Sequence, residues 1–186
     1  MCRRRVVLAG IFQRGDVMVR FLPFLVLATP VVAECLPQGE TFVSCTIAES
    51  GKQLEVCING GDALYTYGAA GQAPELALRE PIRDLDYRPW SGIGRTIWEE
   101  IAFARGGYSY LVFGGINREV SDTDDEIQVT AFGGVEVYQG ETLLTRLSCA
   151  PETVDFAWTN ALSDGKRAAG LEWDLRARRW VPIGQN

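Results

Sequence analysis

The sequence predicts a mainly all-β protein: a small antiparallel β-barrel or sandwich with a short C-terminal helix and a terminal strand or hairpin. Three observations carry that expectation. Short runs of alternating apolar and polar residues recur from Thr41 to Cys149, the period of a half-buried strand. Glycine-rich breaks separate them at Gly60-Gly61, Gly68 to Gly71, Gly106-Gly107, Gly114-Gly115 and Gly133-Gly134, the punctuation of an all-β domain. Four cysteines remain once an N-terminal leader is set aside, an even number suited to two disulfides in an oxidising compartment.

Met18-Val-Arg20 is a short basic start, Phe21 to Val32 an apolar run, and Val31-Val32-Ala33 a small-residue cleavage site, the layout of a secretory signal peptide. The apolar run is too short for a spanning helix, which needs about 20 residues. Arg3-Arg4-Arg5 loosely fits a twin-arginine signal, but Gln13-Arg14-Gly15-Asp16 interrupts it, so Met18 is the favoured true start. Glu34 precedes Cys35 where a lipoprotein signal would place a small residue, which argues against lipidation. The expected organisation is therefore a leader over residues 1–33 and one disulfide-bonded β-rich domain over 34–186, periplasmic or secreted. The leader holds five of the 18 Lys+Arg and one of the 24 Asp+Glu, leaving 13 basic against 23 acidic side chains and a net charge of −10. Such a balance disfavours nucleic acid and anionic lipid; it keeps the chain soluble and would suit a basic protein partner. No membrane span is expected in the mature chain.

The strands follow in order. Thr41 to Ile47 and Gln53 to Ile58 alternate, with Val43, Cys45 and Ile47 in one apolar set and Leu54, Val56 and Ile58 in the other. A two-residue turn at Ser50-Gly51 would place residue 45 opposite 56 and 47 opposite 54, which puts both sets on one face. Ala63 to Tyr67, Leu76 to Leu78, Tyr108 to Phe113, Ile127 to Phe132, Val135 to Tyr138 and Thr142 to Cys149 are further strands. Thr96-Ile-Trp-Glu99 has the form of a capping box. The same stretch alternates as Ile97, Glu99, Ile101 and Phe103, and strand is the reading adopted, with Arg105-Gly106-Gly107 turning into Tyr108. Pro151 to Ala169 carries the helix, closed by Gly170, and Leu171 to Val181 the last hairpin or strand, with Trp173 and Trp180.

Four cysteines allow three pairings. On the first hairpin Cys45 faces inward, whereas Cys57 belongs with Gln53 and Glu55 on the other face, so a direct Cys45–Cys57 bridge would point its side chains the wrong way. Cys149 lies on the face of Leu143, Thr145 and Leu147. The expected bridges are Cys45–Cys149, first strand to last, and Cys35–Cys57, clamping the N-terminal arm.

The chain contains no histidine. That removes imidazole-activated nucleophiles, imidazole zinc sites and the commonest general base near neutral pH; bridged cysteines would remove thiolate chemistry as well. Ser163-Asp-Gly-Lys166 fits S-x-x-K, but the match is two fixed positions in four with no K-T-G companion, and a polar helix surface or turn is the usual explanation. Asp84 and Asp86 share a face if extended, whereas the adjacent Glu99 and Glu100 diverge on a strand; a glycosidase needs two carboxylates flanking a sugar-sized cleft, and charged strand residues are normally the solvated face. Ser121-Asp-Thr-Asp-Asp-Glu126 is oxygen-rich yet lacks the glycine and distal glutamate of an EF-hand loop; an acidic loop is the simpler reading. No catalytic residue, metal or cofactor is assigned.

The stretch that stands out is Tyr87-Arg-Pro-Trp-Ser-Gly-Ile-Gly-Arg95, expected as a connecting loop. Tyr, Trp and Arg are the residues favoured at binding hot spots, and loops carry function more often than strands. Tyr87, Trp90, Ser91 and Arg95 are the candidate binding residues; the alternative is that Trp90 simply plugs one end of the core.

Phe42-x-x-Cys45, Lys52-x-Leu-x-Val-Cys57, Tyr65-x-Tyr-Gly68, Pro74-Glu-Leu-x-Leu78, Pro89-Trp-Ser-Gly-Ile-Gly-Arg95 and Gly133-Gly-Val-x-Val137 together resemble an uncharacterised family of small exported proteobacterial β proteins. A more distant resemblance is to the periplasmic inhibitors of C-type lysozyme, small antiparallel barrels with an early cysteine bridged to a late one. Cys45 and Cys149 match that pattern; the inhibitors' Ser-Gly…Tyr insertion motif and an end near Pro151 are not matched. The reading adopted is a non-enzymatic binding or interaction module acting through its loops; the lysozyme-inhibitor resemblance implies an inhibitor of a cell-wall hydrolase as the alternative, and a carboxylate-dependent hydrolase is the third class, disfavoured by the missing histidine.

Overall fold

A computed structural model describes Cys35, residues 39–120 and residues 127–185. The leader and the Ser121–Glu126 cluster lie outside the described residues. In the first sheet β1 (Glu40–Thr46), β2 (Gln53–Asn59), β3 (Asp62–Gly68) and β4 (Leu76–Pro81) form an antiparallel meander. The second sheet runs in sequence order through β5 (Asp86–Arg88), β6 (Ile97–Arg105), β7 (Tyr108–Val120), β8 (Ile127–Gln139) and β9 (Thr142–Ser148). The chain then returns to the first sheet, where β10 (Asp155–Phe156) pairs with β1, and ends in α1 (Ala161–Ala168) and the hairpin of β11 (Leu171–Asp174) and β12 (Arg179–Pro182).

The two sheets are not closed into a barrel. Their apolar faces share one core: Val43, Leu54, Val56 and Tyr65 from the first sheet meet Ile101, Phe103, Val112 and Val135 from the second. Alternation produces this directly, since successive side chains leave opposite faces of a strand. Both disulfides take the expected pairing, Cys45–Cys149 and Cys35–Cys57, with Cα–Cα separations of 5.7 and 5.5 Å. The first lies where the sheets meet. There Ala48 N–H donates to the Ser148 carbonyl, Ala150 N–H to the Thr46 carbonyl and Cys149 N–H to the Gly133 carbonyl.

The structure corrects the expected layout in four places. The first hairpin pairs Cys45 with Leu54 and Val43 with Val56, a shift of two residues from the expected register. Ile47 N–H donates to Lys52 O and Gly51 N–H to Ile47 O, so the connection is a longer, self-bonded turn. A shift of two preserves the faces, which is why the disulfide argument survives it.

The second correction concerns Gly114-Gly115 and Gly133-Gly134, which interrupt nothing. β7 and β8 run straight through them, so Ile127 to Tyr138 is one strand. Phe132 sits opposite Gly115, and Phe113 opposite Gly134. A Cβ on Gly115 would come within 2.5 Å of the Phe132 ring, and one on Gly134 within 2.7 Å of the Phe113 ring. On the inner face, a Cβ on Gly114 would meet the Phe156 ring at 2.5 Å. These glycines are contact points for aromatic rings crossing the strands. Gly106 and Gly107 do turn the chain: both have positive φ, 60° and 84°, between the paired Arg105 and Tyr108, as a two-residue hairpin requires.

Third, the expected helix over 151–169 shrinks to α1, preceded by a 3-10 turn at Pro151–Thr153 and by β10. The sheet edge at β1 takes the segment first, with Val43 opposite Phe156. Gly170 closes α1 with φ 80°. Fourth, Tyr87 belongs to β5, leaving 89–96 as the loop.

Candidate functional site

The end of the molecule where β5, the 89–96 loop and the start of β6 meet α1 and the terminal hairpin holds its most unusual side chains. Alternation along β6 sends Ile97, Glu99 and Ile101 inward and Trp98 and Glu100 outward. Glu99 therefore enters the core at 4% exposure. Tyr87, 1% exposed, donates from its hydroxyl to Glu99 Oε1 at 2.7 Å and shares a hydrogen bond with Ser163 Oγ at 3.3 Å. The backbone N–H of Trp90 also donates to the carboxylate. Burial raises the Glu99 carboxyl to about 7 against the pull of these two donors. The Tyr87 hydroxyl is pushed up by burial, then by the Glu99 charge.

Lys166, 3% exposed, reaches from α1 to donate to the Arg83 carbonyl at 3.0 Å and to the Leu85 carbonyl. Burial lowers its pKa, opposed by the charges of Asp86, Asp84 and Glu80. Ser163 and Lys166 thus bond different partners, and the S-x-x-K spacing assembles no dyad. Instead it anchors α1 at two points, Tyr87 of β5 and the turn that precedes β5. Trp180 of β12 completes the anchor: its ring stacks on Tyr87 at 5.7 Å, and its indole N–H donates to the Tyr87 carbonyl at 2.8 Å.

Outside this buried network lies a cleft of about 230 Å³ lined by Arg88, Pro89, Ser91, Trp98, Trp173, Leu175 and Arg178. Trp98 comes from the outer face of β6. Trp173 is held by its tilted contact with Trp180 at 5.5 Å, so the cleft wall rests on the Tyr87 network. Arg178 closes the terminal hairpin with φ 53°. Asp174 shapes that turn: its carboxylate accepts from the amides of Arg176 and Ala177 at 2.8 and 2.9 Å, which hold its pKa low. Arg88 lies 3.4 Å from the Glu100 carboxylate across the β5–β6 pair.

The four sequence-selected residues separate. Ser91 lines the cleft, and Tyr87 lies buried beneath it. Trp90 turns edge-on to Trp158 at 5.7 Å, with its indole N–H on the Ile93 carbonyl at 3.2 Å. Arg95 is exposed and does not line the cleft, while its carbonyl accepts from Arg118 Nε at 3.0 Å. Sequence reasoning missed Arg88, Trp98, Trp173 and Arg178. Trp98 could have been placed from the alternation that buries Ile97 and Glu99; Trp173 and Arg178 arrive by a tertiary contact that no local pattern records.

Among the described residues, one group of potential ligand atoms is close enough for a metal: Cys35, Glu55 and Cys57. Its two sulfurs are bonded to each other. No helix among the described residues is long and apolar enough to cross a membrane. Comparison with family models, curated proteins and solved structures finds no match for this chain.

Proposed function

We propose that this chain is an exported, non-enzymatic binding domain, periplasmic or secreted, and that it engages its partner at the Trp98–Trp173 cleft. The observation that carries the reading is the convergence of two indoles and two guanidinium groups, from three separate elements, on one small concavity. Indole faces offer flat apolar contact at low entropic cost. Arginines add bidentate recognition of carboxylate or phosphate. The chemistry fits a ring or apolar side chain presented beside an acidic group.

Export is supported by two disulfides that join distant parts of the fold and by the signal-like leader. Binding without catalysis is supported by the absence of histidine, by cysteines consumed in bridges, and by the burial of Glu99 and Lys166 away from the cleft surface. The test is affinity capture from an extracellular or periplasmic extract with the disulfide-intact chain and with R88E/R178E. The expected result is a partner held by the natural chain and lost by the variant. Capture of the same partners by both removes the cleft from the reading.

A further inference from the structure

A second concavity lies on the outer face of the first sheet and shares no residue with the Trp98–Trp173 cleft. It is the larger of the two, about 440 Å³, within the range typical of small-molecule sites. Its floor is built by strand register. Ser44, Glu55 and Thr66 stand directly opposite one another on β1, β2 and β3, and Thr46 and Gln53 form the next row out. Alternation requires these positions to face outward, because Cys45, Leu54, Val56 and Tyr65 fill the core.

Two walls make this face a trough. At one end the row of Thr46 and Gln53 finishes at Gly68, where a Cβ would stand 2.9 Å from the Glu75 nitrogen and 3.1 Å from Pro74 Cα. The glycine lets the 69–74 turn close over the strand end. Thr153 stands at the other side, fixed by accepting the Thr46 N–H at 2.9 Å and donating to the Ala150 carbonyl at 2.8 Å. Glu55 is held as well, accepting the Cys35 N–H at 3.1 Å beside the Cys35–Cys57 bridge. Thr153 and Glu55 are thus held before any ligand arrives, which reduces the ordering cost of binding.

Among the described residues the lining contains no lysine or arginine, so it offers an anionic ligand no counter-charge. What it offers is a grid of hydroxyl and amide groups that both donate and accept, plus a carboxylate. A peptide strand would seek a free sheet edge and its backbone groups, whereas the floor here is the side-chain face of β1, β2 and β3. Neighbouring strands lie about 4.8 Å apart, close to the residue repeat of an extended β-linked polysaccharide. A saccharide chain lying across the strands would place one sugar over each of β1, β2 and β3. We propose that this trough binds a neutral β-linked glycan segment.

The test is a titration of the isotope-labelled, disulfide-intact chain with cellotetraose and with chitotetraose, followed by amide chemical shifts. The expected result is saturable shifts at Ser44, Thr46, Gln53, Glu55 and Thr66 with at least one of the two, reduced at least tenfold in apparent affinity by T46V/T66V. Valine keeps the shape and strand preference of threonine, and an otherwise unchanged spectrum shows that the variant is folded. Absence of shifts at these residues with both sugars overturns the proposal, as does a response confined to Trp98 and Trp173. Shifts of the same amides by a Ser/Asn-rich polar peptide, with neither sugar acting, overturn it in favour of a peptide.

Discussion

Replacing Glu99 by glutamine should remove most of the pH dependence of stability that this one side chain creates. Its carboxyl stands at about 7 in the folded chain against an ordinary value of 4.5, because burial disfavours the charged form more than Tyr87 and Trp90 favour it. The folded state therefore holds the proton more tightly than the unfolded state. Below pH about 4.5 both states are protonated and the group is neutral in its effect. As pH rises from there to about 7, the unfolded chain releases its proton first and stability falls; above pH 7 the full penalty is present. A displacement of this size corresponds to about 3 kcal/mol. With Glu99 only 4% exposed, solvent screening reduces that figure little.

Glutamine keeps an oxygen for the Tyr87 hydroxyl and the Trp90 amide and cannot ionise. It also brings an NH2 group, whose imperfect pairing costs about 1–3 kcal/mol at every pH. The comparison that isolates the carboxyl is consequently the difference between pH 5 and pH 8, measured by urea unfolding of both proteins with disulfides intact. The natural chain should lose about 2–3 kcal/mol more than E99Q across that interval. Glu80 and Glu100, also raised chiefly by burial, contribute equally to both proteins and cancel. Equal losses in the two would refute the claim that Glu99 is a buried carboxyl held near neutrality.

Removing Cys45–Cys149 as a double alanine variant should cost more than removing Cys35–Cys57. The bridges span 104 and 22 residues, and chain-entropy estimates give about 4.7 and about 3.4 kcal/mol; thermal unfolding of the two variants checks the order. Gly134→Ala should destabilise by about 1–3 kcal/mol, since its Cβ would overlap the Leu147 carbonyl and the Phe113 ring; a denaturant midpoint unchanged from the natural chain would show that the strands part freely there. Excess protein should leave cell-wall lysis by a C-type lysozyme undiminished, because among the described residues the lining of the proposed cleft offers a basic enzyme no carboxylate. Inhibition would redirect the functional reading to the lysozyme inhibitors.

The disulfides were legible because they depend only on strand parity. Cys45 and Cys57 fall on opposite faces in any register that buries Val43 and Leu54, so an error of two residues in the hairpin did not matter. The glycine pairs were misread for a related reason. Glycine breaks a strand on local propensity, and the sequence around Gly115 and Gly134 says nothing of Phe132 and Phe113 lying opposite them. Only the pairing of β7 with β8 brings ring and glycine together. Tyr87 illustrates the limit for the site. Its aromatic-plus-arginine neighbourhood has the composition of a binding loop, yet the ring belongs to the inner face of β5, and its partner Glu99 looked like the solvated half of a carboxylate pair.

That reversal explains why Ser163 and Lys166 carry their spacing. One turn of α1 separates them, so both fall on the helix face turned toward the second sheet. The serine meets the Tyr87 hydroxyl, and the lysine meets two carbonyls of the turn between β4 and β5. An apolar helix face could have covered Ile82 and Leu85 but would have left those carbonyls and the Tyr87–Glu99 pair without α1's donors, at the cost of burying polar groups unmet. The polar anchor sets the position of α1, and the hairpin that follows carries Trp180 onto Tyr87 and Trp173 onto Trp180. Half of the cleft wall therefore depends on a buried network that never touches the ligand. Weakening it, as by Ser163→Ala together with Tyr87→Phe, should lower cleft affinity without altering any residue that lines it.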